Sequence, residues 1–375
     1  MKLPFEIKMP DLSENRNIII IAAACLLVII LLVVLIATGA ISFGGQRDAD
    51  AGPDTDRKGD TVFYYETGSR AVFGDLNGRL MVASSLGASF YNRDGSEVFT
   101  SVRPMDWPVL STGGGKAAVW ETGGDKFMTV DSGGIDMDMK TESPVITASL
   151  NEKGWLCLCT EDSAYYGVVT VYNDKGVAEY KWYSGNGYLM NAKLADNCKD
   201  MAVLTLNTEG SAIVYYKLDS EEEQARFELD GELIIDICYT SAGDLAVLSN
   251  NCLRILSGDT LKAKFDFPSQ HLGAYAFADG YTVIFCNESQ FGNGGSLITL
   301  NDSCEVIGLV ELGKNVDVIA TCGSRVATLS ADVVTEYNRA LDQKDCYETD
   351  TGTISIIVGS DKSVLALGKY SAERF

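Results

Sequence analysis

Only one imidazole, His271, is available to a chain of 375 residues. Ser-His-Asp and Cys-His mechanisms need a base beside the nucleophile, so His271 alone could fill that role. It follows Pro268 in a loop, where an ordinary polar residue is the simpler reading. The same shortage argues against most His-bearing catalytic zinc sites. Cysteine is more plentiful. Nine of the ten lie beyond residue 45, with no C-x-x-C pair. Cys157 and Cys159 alternate on one strand and face the same way, like core residues, and Cys286 falls within an apolar strand. As a group they read as small buried hydrophobes. One or two structural disulfides is the alternative, and a metal or redox site a third. The odd count leaves at least one thiol unpaired or shared with another chain. Gly113-Gly114-Gly115-Lys116 lacks the Ser or Thr of a phosphate loop and precedes a strand, so it reads as a hairpin turn. Gly292-Asn293-Gly294-Gly295 fails the dinucleotide fingerprint on similar grounds. Asp136-Met137-Asp138 and Asp54-Thr55-Asp56 stop short of a calcium loop. No metal and no cofactor is expected. Carboxylates are so abundant that a glycosidase-type pair could assemble without any local motif, which keeps an enzyme as the third functional reading.

Composition narrows the class. The net charge is -22, and an acidic chain of this kind does not suit nucleic acid, whose phosphates need clustered Lys and Arg. Hydrophobic residues make up 46%, enough for a substantial core and too many for a disordered chain. One run, starting at Ile18 and ending at Ala37, has no charged or strongly polar side chain. Its 20 residues match the roughly 30 Å apolar thickness of a bilayer at about 1.5 Å per helical residue. The run therefore reads as an uncleaved transmembrane signal-anchor helix over 17–41, with a short cytoplasmic tail over 1–16 and the lipid bilayer as its partner. A cleaved signal peptide ending near Thr38-Gly39-Ala40 is the alternative, but the apolar run is long for one. A lipoprotein anchor at Cys25 fits worse, because Cys25 sits inside the run. Arg16 abuts the helix and Arg47 stands well beyond it, which places the N-terminus in the cytoplasm and the bulk outside. The first 40 residues carry three positive and three negative side chains, so the whole excess charge belongs to the exported part.

Residues 42–60 are polar and rich in Gly and Asp, a flexible linker. From 61 to 375 the chain is written in short apolar or alternating runs separated by Gly, Asn, Asp and Ser, the pattern of strands and turns. The best helix candidate, 220–231, reads instead as a solvated turn around Glu221-Glu222-Glu223. Two series repeat. One is a tight turn followed by a small apolar strand, as at Asn77-Gly78 before Leu80-Met81-Val82-Ala83, and it occurs eight times. The other is an apolar or aromatic residue followed by a polar turn residue, from Tyr91-Asn92 to Tyr337-Asn338, with a mean interval of 41 residues. That period with four strands per unit predicts an all-β fold, an eight-bladed β-propeller with a split closing blade shared by the two ends of the domain. Seven blades is the alternative count; a β-sandwich would leave eight evenly spaced hairpins unexplained. With the strands lettered A to D from axis to rim, the first series marks A–B hairpins and the second C–D hairpins. These turns share one rim, which the linker joins. The B–C and D–A loops share the other, which can face outward.

The anchor and recurrent turn strings such as Phe90-Tyr91-Asn92-Arg93-Asp94-Gly95 and Val171-Tyr172-Asn173-Asp174-Lys175-Gly176 resemble a bacterial family of single-pass membrane-anchored propellers. This is domain of unknown function family 5711, within the quinoprotein-like and WD40-like superfamily. The resemblance implies a location in the cell envelope and carries no activity. Quinoprotein dehydrogenases are similar in outline, but Trp107, Trp120, Trp155 and Trp182 do not recur at one blade position here, which speaks against that activity.

What remains is a surface. Loops assigned to the outward rim bring Arg103, Asp106 and Trp107, then Tyr165 with Tyr166, Tyr183 and Tyr188, then His271 and Phe291. Aromatics interleaved with polar residues are favoured in interaction patches; the plainer alternative is packing between blades. The expected function is a non-catalytic protein-interaction scaffold in the bacterial envelope, with a protein partner. A ligand- or glycan-binding or sensing module is the alternative.

Overall fold

The computed structural model describes residues 60–375 apart from Gln270, Phe291, Gly292, Thr351, Ser360 and Lys362, with side chains from Tyr64 onward. The tail, the membrane helix and nearly all of the linker inferred above lie outside the described residues. Among the described residues, no helix is long and apolar enough to cross a membrane.

The described chain forms eight four-stranded sheets, each an antiparallel meander. Blade 1 runs Ala71–Leu76, Arg79–Ser84, Gly87–Tyr91 and Glu97–Ser101, lettered A to D. Seven sheets follow this pattern. The eighth takes strands A to C from Ser355–Val358, Val364–Leu367 and Ser371–Arg374, and strand D from Asp60–Tyr64. Asp60 pairs with Arg374 and Tyr64 with Ser371, so the split closing blade and the count of eight are as the repeats predicted. All eight turn-and-strand signals fall at A–B hairpins, and the seven members of the second series at C–D hairpins.

Burial explains the strand types. B strands read as unbroken apolar runs because both faces meet neighbouring blades: Met201 to Leu204 and Leu245 to Leu248 are buried throughout. D strands alternate. In Ala178–Tyr183, Tyr180 and Trp182 pack inward while the residues between them are exposed. A strands pack against one another about the axis. There are eight buried clusters, one at each interface between neighbouring blades. The cluster joining blades 8 and 1 contains Tyr65, Leu80, Tyr91, Leu365 and Leu367, and it closes the ring. Closure also leaves no blade as an open end. At the seam, Tyr65 donates its hydroxyl to the carbonyls of Gly368 (2.7 Å) and Ser371 (2.9 Å), and Thr67 donates to Lys369 (2.5 Å).

Gly113-Gly114-Gly115-Lys116 is the A–B turn of blade 2, with positive φ at Gly114 and Gly115. Two such residues give the turn the twist of its flanking strands. The region 220–231 is a turn only as far as Glu222; Glu223–Asp230 is the outer strand of blade 4. The expected turn was one residue too long, because Glu223 pairs with Tyr216 and opens that strand. All nine cysteines in the propeller are free thiols. Cys157 and Cys159 lie together in the core between blades 3 and 4. The four tryptophans occupy four different positions: a D–A loop, a B strand, an A–B turn and a D strand.

Candidate functional site

The most aromatic exposed surface lies where blade 3 hands the chain to blade 4. The B–C loop of blade 3, residues 161–167, carries Tyr165 and Tyr166. Strand D ends at Tyr183, and strand A of blade 4, Tyr188–Leu194, opens at Tyr188. The loops bring these four together. Tyr165 and Tyr183 stand with ring centroids 4.9 Å apart, and Tyr166 meets Tyr188 edge to face at 5.1 Å. All four are exposed, Tyr188 at 63%.

The backbone beneath them is tied closely. Asp162 Oδ1 accepts from the N–H groups of Ala164 (2.8 Å) and Tyr165 (3.0 Å), the side-chain turn that Asp favours. Tyr166 N–H donates to the Ser184 carbonyl (3.0 Å), Ser184 N–H to Gly167 (2.9 Å), and Leu189 N–H to Tyr166 (2.9 Å). The wholly buried Ser184 hydroxyl donates to the Gly187 carbonyl at 2.6 Å. Gly167 has φ +136° and sits so close to Leu189 that a Cβ would stand 2.6 Å from that side chain. The rings are thus held on two laced loops, and ordering them on contact with a partner costs little entropy.

On the axial side, four successive A strands, in blades 3 to 6, carry a bulge near their starts. A bulge re-aims the extra residue. In blades 4 and 5 it leaves Met190 and Ile235 exposed. Beneath them Asn191 Nδ2 donates to Asp236 Oδ1 and the Tyr275 hydroxyl to Asp236 Oδ2, both at 3.2 Å, linking three blades. Burial, reinforced by the Asp236 charge, pushes the Tyr275 phenol up and keeps it a donor.

The other predicted residues occupy the same rim elsewhere. Arg103, Asp106 and Trp107 lie in the D–A loop between blades 1 and 2. The Arg103 guanidinium is taken up by Asp138 and the Met139 carbonyl on the neighbouring outer strand. Asp106 N–H donates to Glu121 Oε1 (2.6 Å), and Trp107 is 57% exposed beneath the Arg70 guanidinium. His271 lies between blades 5 and 6, its carbonyl accepting from Asn287 N–H at 2.8 Å. Phe291 lies outside the described residues. Of the eight predicted residues, Tyr165 and Tyr183 therefore meet ring to ring, and Tyr188 meets Tyr166, the chain neighbour of Tyr165. Both Asp136 and Asp138 are paired with cations, Lys116 and Arg103. Among the described residues, no three His, Cys, Asp or Glu side chains gather closely enough to hold a metal.

Sequence reading passed over Leu86, Val102, Leu233 and Tyr370, all exposed on this rim. An apolar residue inside a B–C or D–A turn string was the available signal. Met190 and Ile235 left none, since a bulge is not written in the repeat. The surface can stack on rings or apolar groups, attract cations to its π faces and donate phenolic hydrogen bonds.

Known structures share the architecture. Sqt1 of Saccharomyces cerevisiae aligns with a TM-score of 0.64 at 11% identity, over 84% of this chain and 99% of its own. The C-terminal WD40 domain of Sif2 aligns at 0.55 and 12%, over 84% and 95%. BamB from Moraxella catarrhalis aligns at 0.52 and 12%, over 83% and 100%. At such identities the likeness is one of fold. A comparison with curated proteins found no match. The sequence itself is more specific: residues 61–372 match the Family of unknown function (DUF5711), to which this propeller chain belongs.

Proposed function

We propose that this chain is a non-catalytic protein-interaction scaffold of the bacterial cell envelope. It is held in the membrane by residues 17–41, with its N-terminus cytoplasmic and its propeller outside, and it receives a protein partner on the B–C rim. The observation that carries the reading is the cluster Tyr165, Tyr166, Tyr183 and Tyr188, exposed yet fixed on hydrogen-bonded loops. Exposed aromatics are unfavourable in water and abundant in binding hot spots. The charge-free run from Ile18 to Ala37 supports the anchor.

A second reading, a module that binds a small extracellular ligand or glycan, has its own footing. A cleft of about 240 Å³ opens beside the seam in blade 8, bordered by Asp350, Thr353, Lys369, Tyr370 and Glu373. The deciding experiment is cross-linking of the intact protein in native membranes, against a control whose propeller is replaced by an unrelated domain. A reproducible partner that requires the propeller is expected. Abundant, folded protein with no partner would overturn the scaffold reading in favour of the cleft.

A further inference from the structure

Resting on the scaffold reading, we propose that the tyrosine cluster receives a basic segment of the partner protein, one whose Arg or Lys side chains lie over the tyrosine faces. Two independent observations lead there.

The first is how this rim treats its own cations. Arg70 lies over Trp107, Lys181 Nζ stands 5.2 Å from the Tyr183 ring centre, and Lys369 Nζ stands 5.0 Å from that of Tyr370. Three exposed rim aromatics thus already hold a cation against a face. Tyr165, Tyr166 and Tyr188 hold none among the described residues; each touches one neighbouring ring and is otherwise about half or more exposed, which leaves ring surface for a cation from outside. Ring faces are negative and attract a cation more strongly as water is excluded.

The second is charge. The loops around the cluster, 141–144, 161–167, 184–187, 207–209 and 231–233, contain Glu142, Glu161, Asp162, Glu209 and Glu232 and no Lys or Arg. Arg254 neutralises Glu232 through two contacts of 2.5 and 2.8 Å. The other four make no ion pair among the described residues. They lie on the tyrosine loop itself and on loops of the same rim in the neighbouring blades, and no three acidic side chains gather there, so they favour a cation near the rings and leave its seat to the aromatics. Complementary fields of this kind raise association rates and reject acidic partners. Met190 and Ile235, exposed at the axial edge, offer apolar seats to the same segment.

The probe is a capped twelve-residue peptide of alternating Arg and Leu, titrated against the full-length protein in lipid nanodiscs. The same peptide with Gln or Glu in place of Arg serves for comparison. The Arg peptide should bind saturably and at least about tenfold more tightly than the Gln peptide, with the Glu peptide weakest. The Tyr165→Leu/Tyr188→Leu double variant, which keeps apolar area and removes the π faces, should weaken Arg-peptide binding about tenfold. Tyr165→Phe/Tyr188→Phe, which keeps the faces, should stay within about twofold. A photoreactive Arg peptide should label residues 161–167 and 184–190, which locates the site even if a variant folds poorly. Equal binding of the Gln peptide, no binding of the Arg peptide, equal losses in the Leu and Phe variants, unchanged binding in the Leu variant, or labelling of the A–B rim would each overturn the proposal. If membrane cross-linking still captures a propeller-dependent partner in that event, only the basic segment is refuted; loss of both refutes the scaffold as well.

Discussion

The two rims of the ring join the same strands but are built to different ends. On the A–B rim the turns between strands A and B are short and polar, and those holding Gly114 and Gly154 meet backbone to backbone, although Val177 is exposed in a C–D turn of the same rim. Among the described residues, no exposed large apolar side chain sits in an A–B turn. On the B–C rim the loops present Trp107, Tyr165, Tyr166, Tyr188, Leu233 and Tyr370 to solvent. One rim sets the spacing of the blades; the other displays side chains that the fold itself does not need. Damage to the first should therefore appear as lost stability, and damage to the second as lost binding. The largest effect is expected at Gly114. Its φ is +58°, and a Cβ there would stand 2.1 Å from the Gly154 nitrogen in the next blade's turn. No rotamer change relieves a clash with backbone. Gly114→Val should cost about 3 kcal/mol or more in urea unfolding, combining left-handed strain with displacement of the adjacent turn. A stable Gly114→Val variant would break the distinction between the rims.

How much of this distinction was legible follows from how local each feature is. The A–B and C–D turns were readable because turn chemistry acts over four residues, and the buried B strands because both faces demand apolar side chains. Eight recurrences then required a ring. The rim of Tyr165, Tyr183 and Tyr188 was also readable, since alternating chain direction assigns every loop to one side. Which tyrosine meets which was not, because the meeting depends on the return of the chain through a whole D strand. Arg103 shows the same limit: its partner Asp138 lies on the outer strand of the next blade. Met190 and Ile235 depend on bulges that one extra apolar residue does not announce.

Titration sharpens the comparison at intermediate size, because the cores between blades should answer to pH while the exposed rim does not. Burial pushes the Cys157 thiol up to about 12 and the Tyr65 phenol up as well. For an acid whose folded value is raised, the neutral form belongs to the folded state. That contribution is fully present below the unfolded values, about 8.5 for Cys and about 10 for Tyr, and is lost as pH rises through the folded ones. Urea midpoints should hold near neutrality and fall steadily from about pH 9 upward. Cys157 and Cys159 should resist a thiol reagent at pH 8 until the propeller unfolds, since both are wholly buried. A flat alkaline profile with rapid labelling would show cores looser than the eight clusters describe.

The smallest change in stability is expected where the functional argument is strongest. Tyr188 is mostly exposed and its one ring contact, with Tyr166, is itself on the surface. The loop below is held by backbone bonds and by the Ser184 hydroxyl, none of which involves a tyrosine side chain. Tyr188→Ala should therefore unfold within about 0.5 kcal/mol of the parent. The same variant should lose most of the propeller-dependent cross-link in membranes, because an exposed ring of an aromatic patch is the kind of residue whose truncation removes about 2 kcal/mol or more of binding. Unchanged stability with unchanged cross-linking would move the partner off this sector of the rim. A large loss of stability would mean that the tyrosines are holding the blades together, and the distinction between the rims would then fail at its most exposed point.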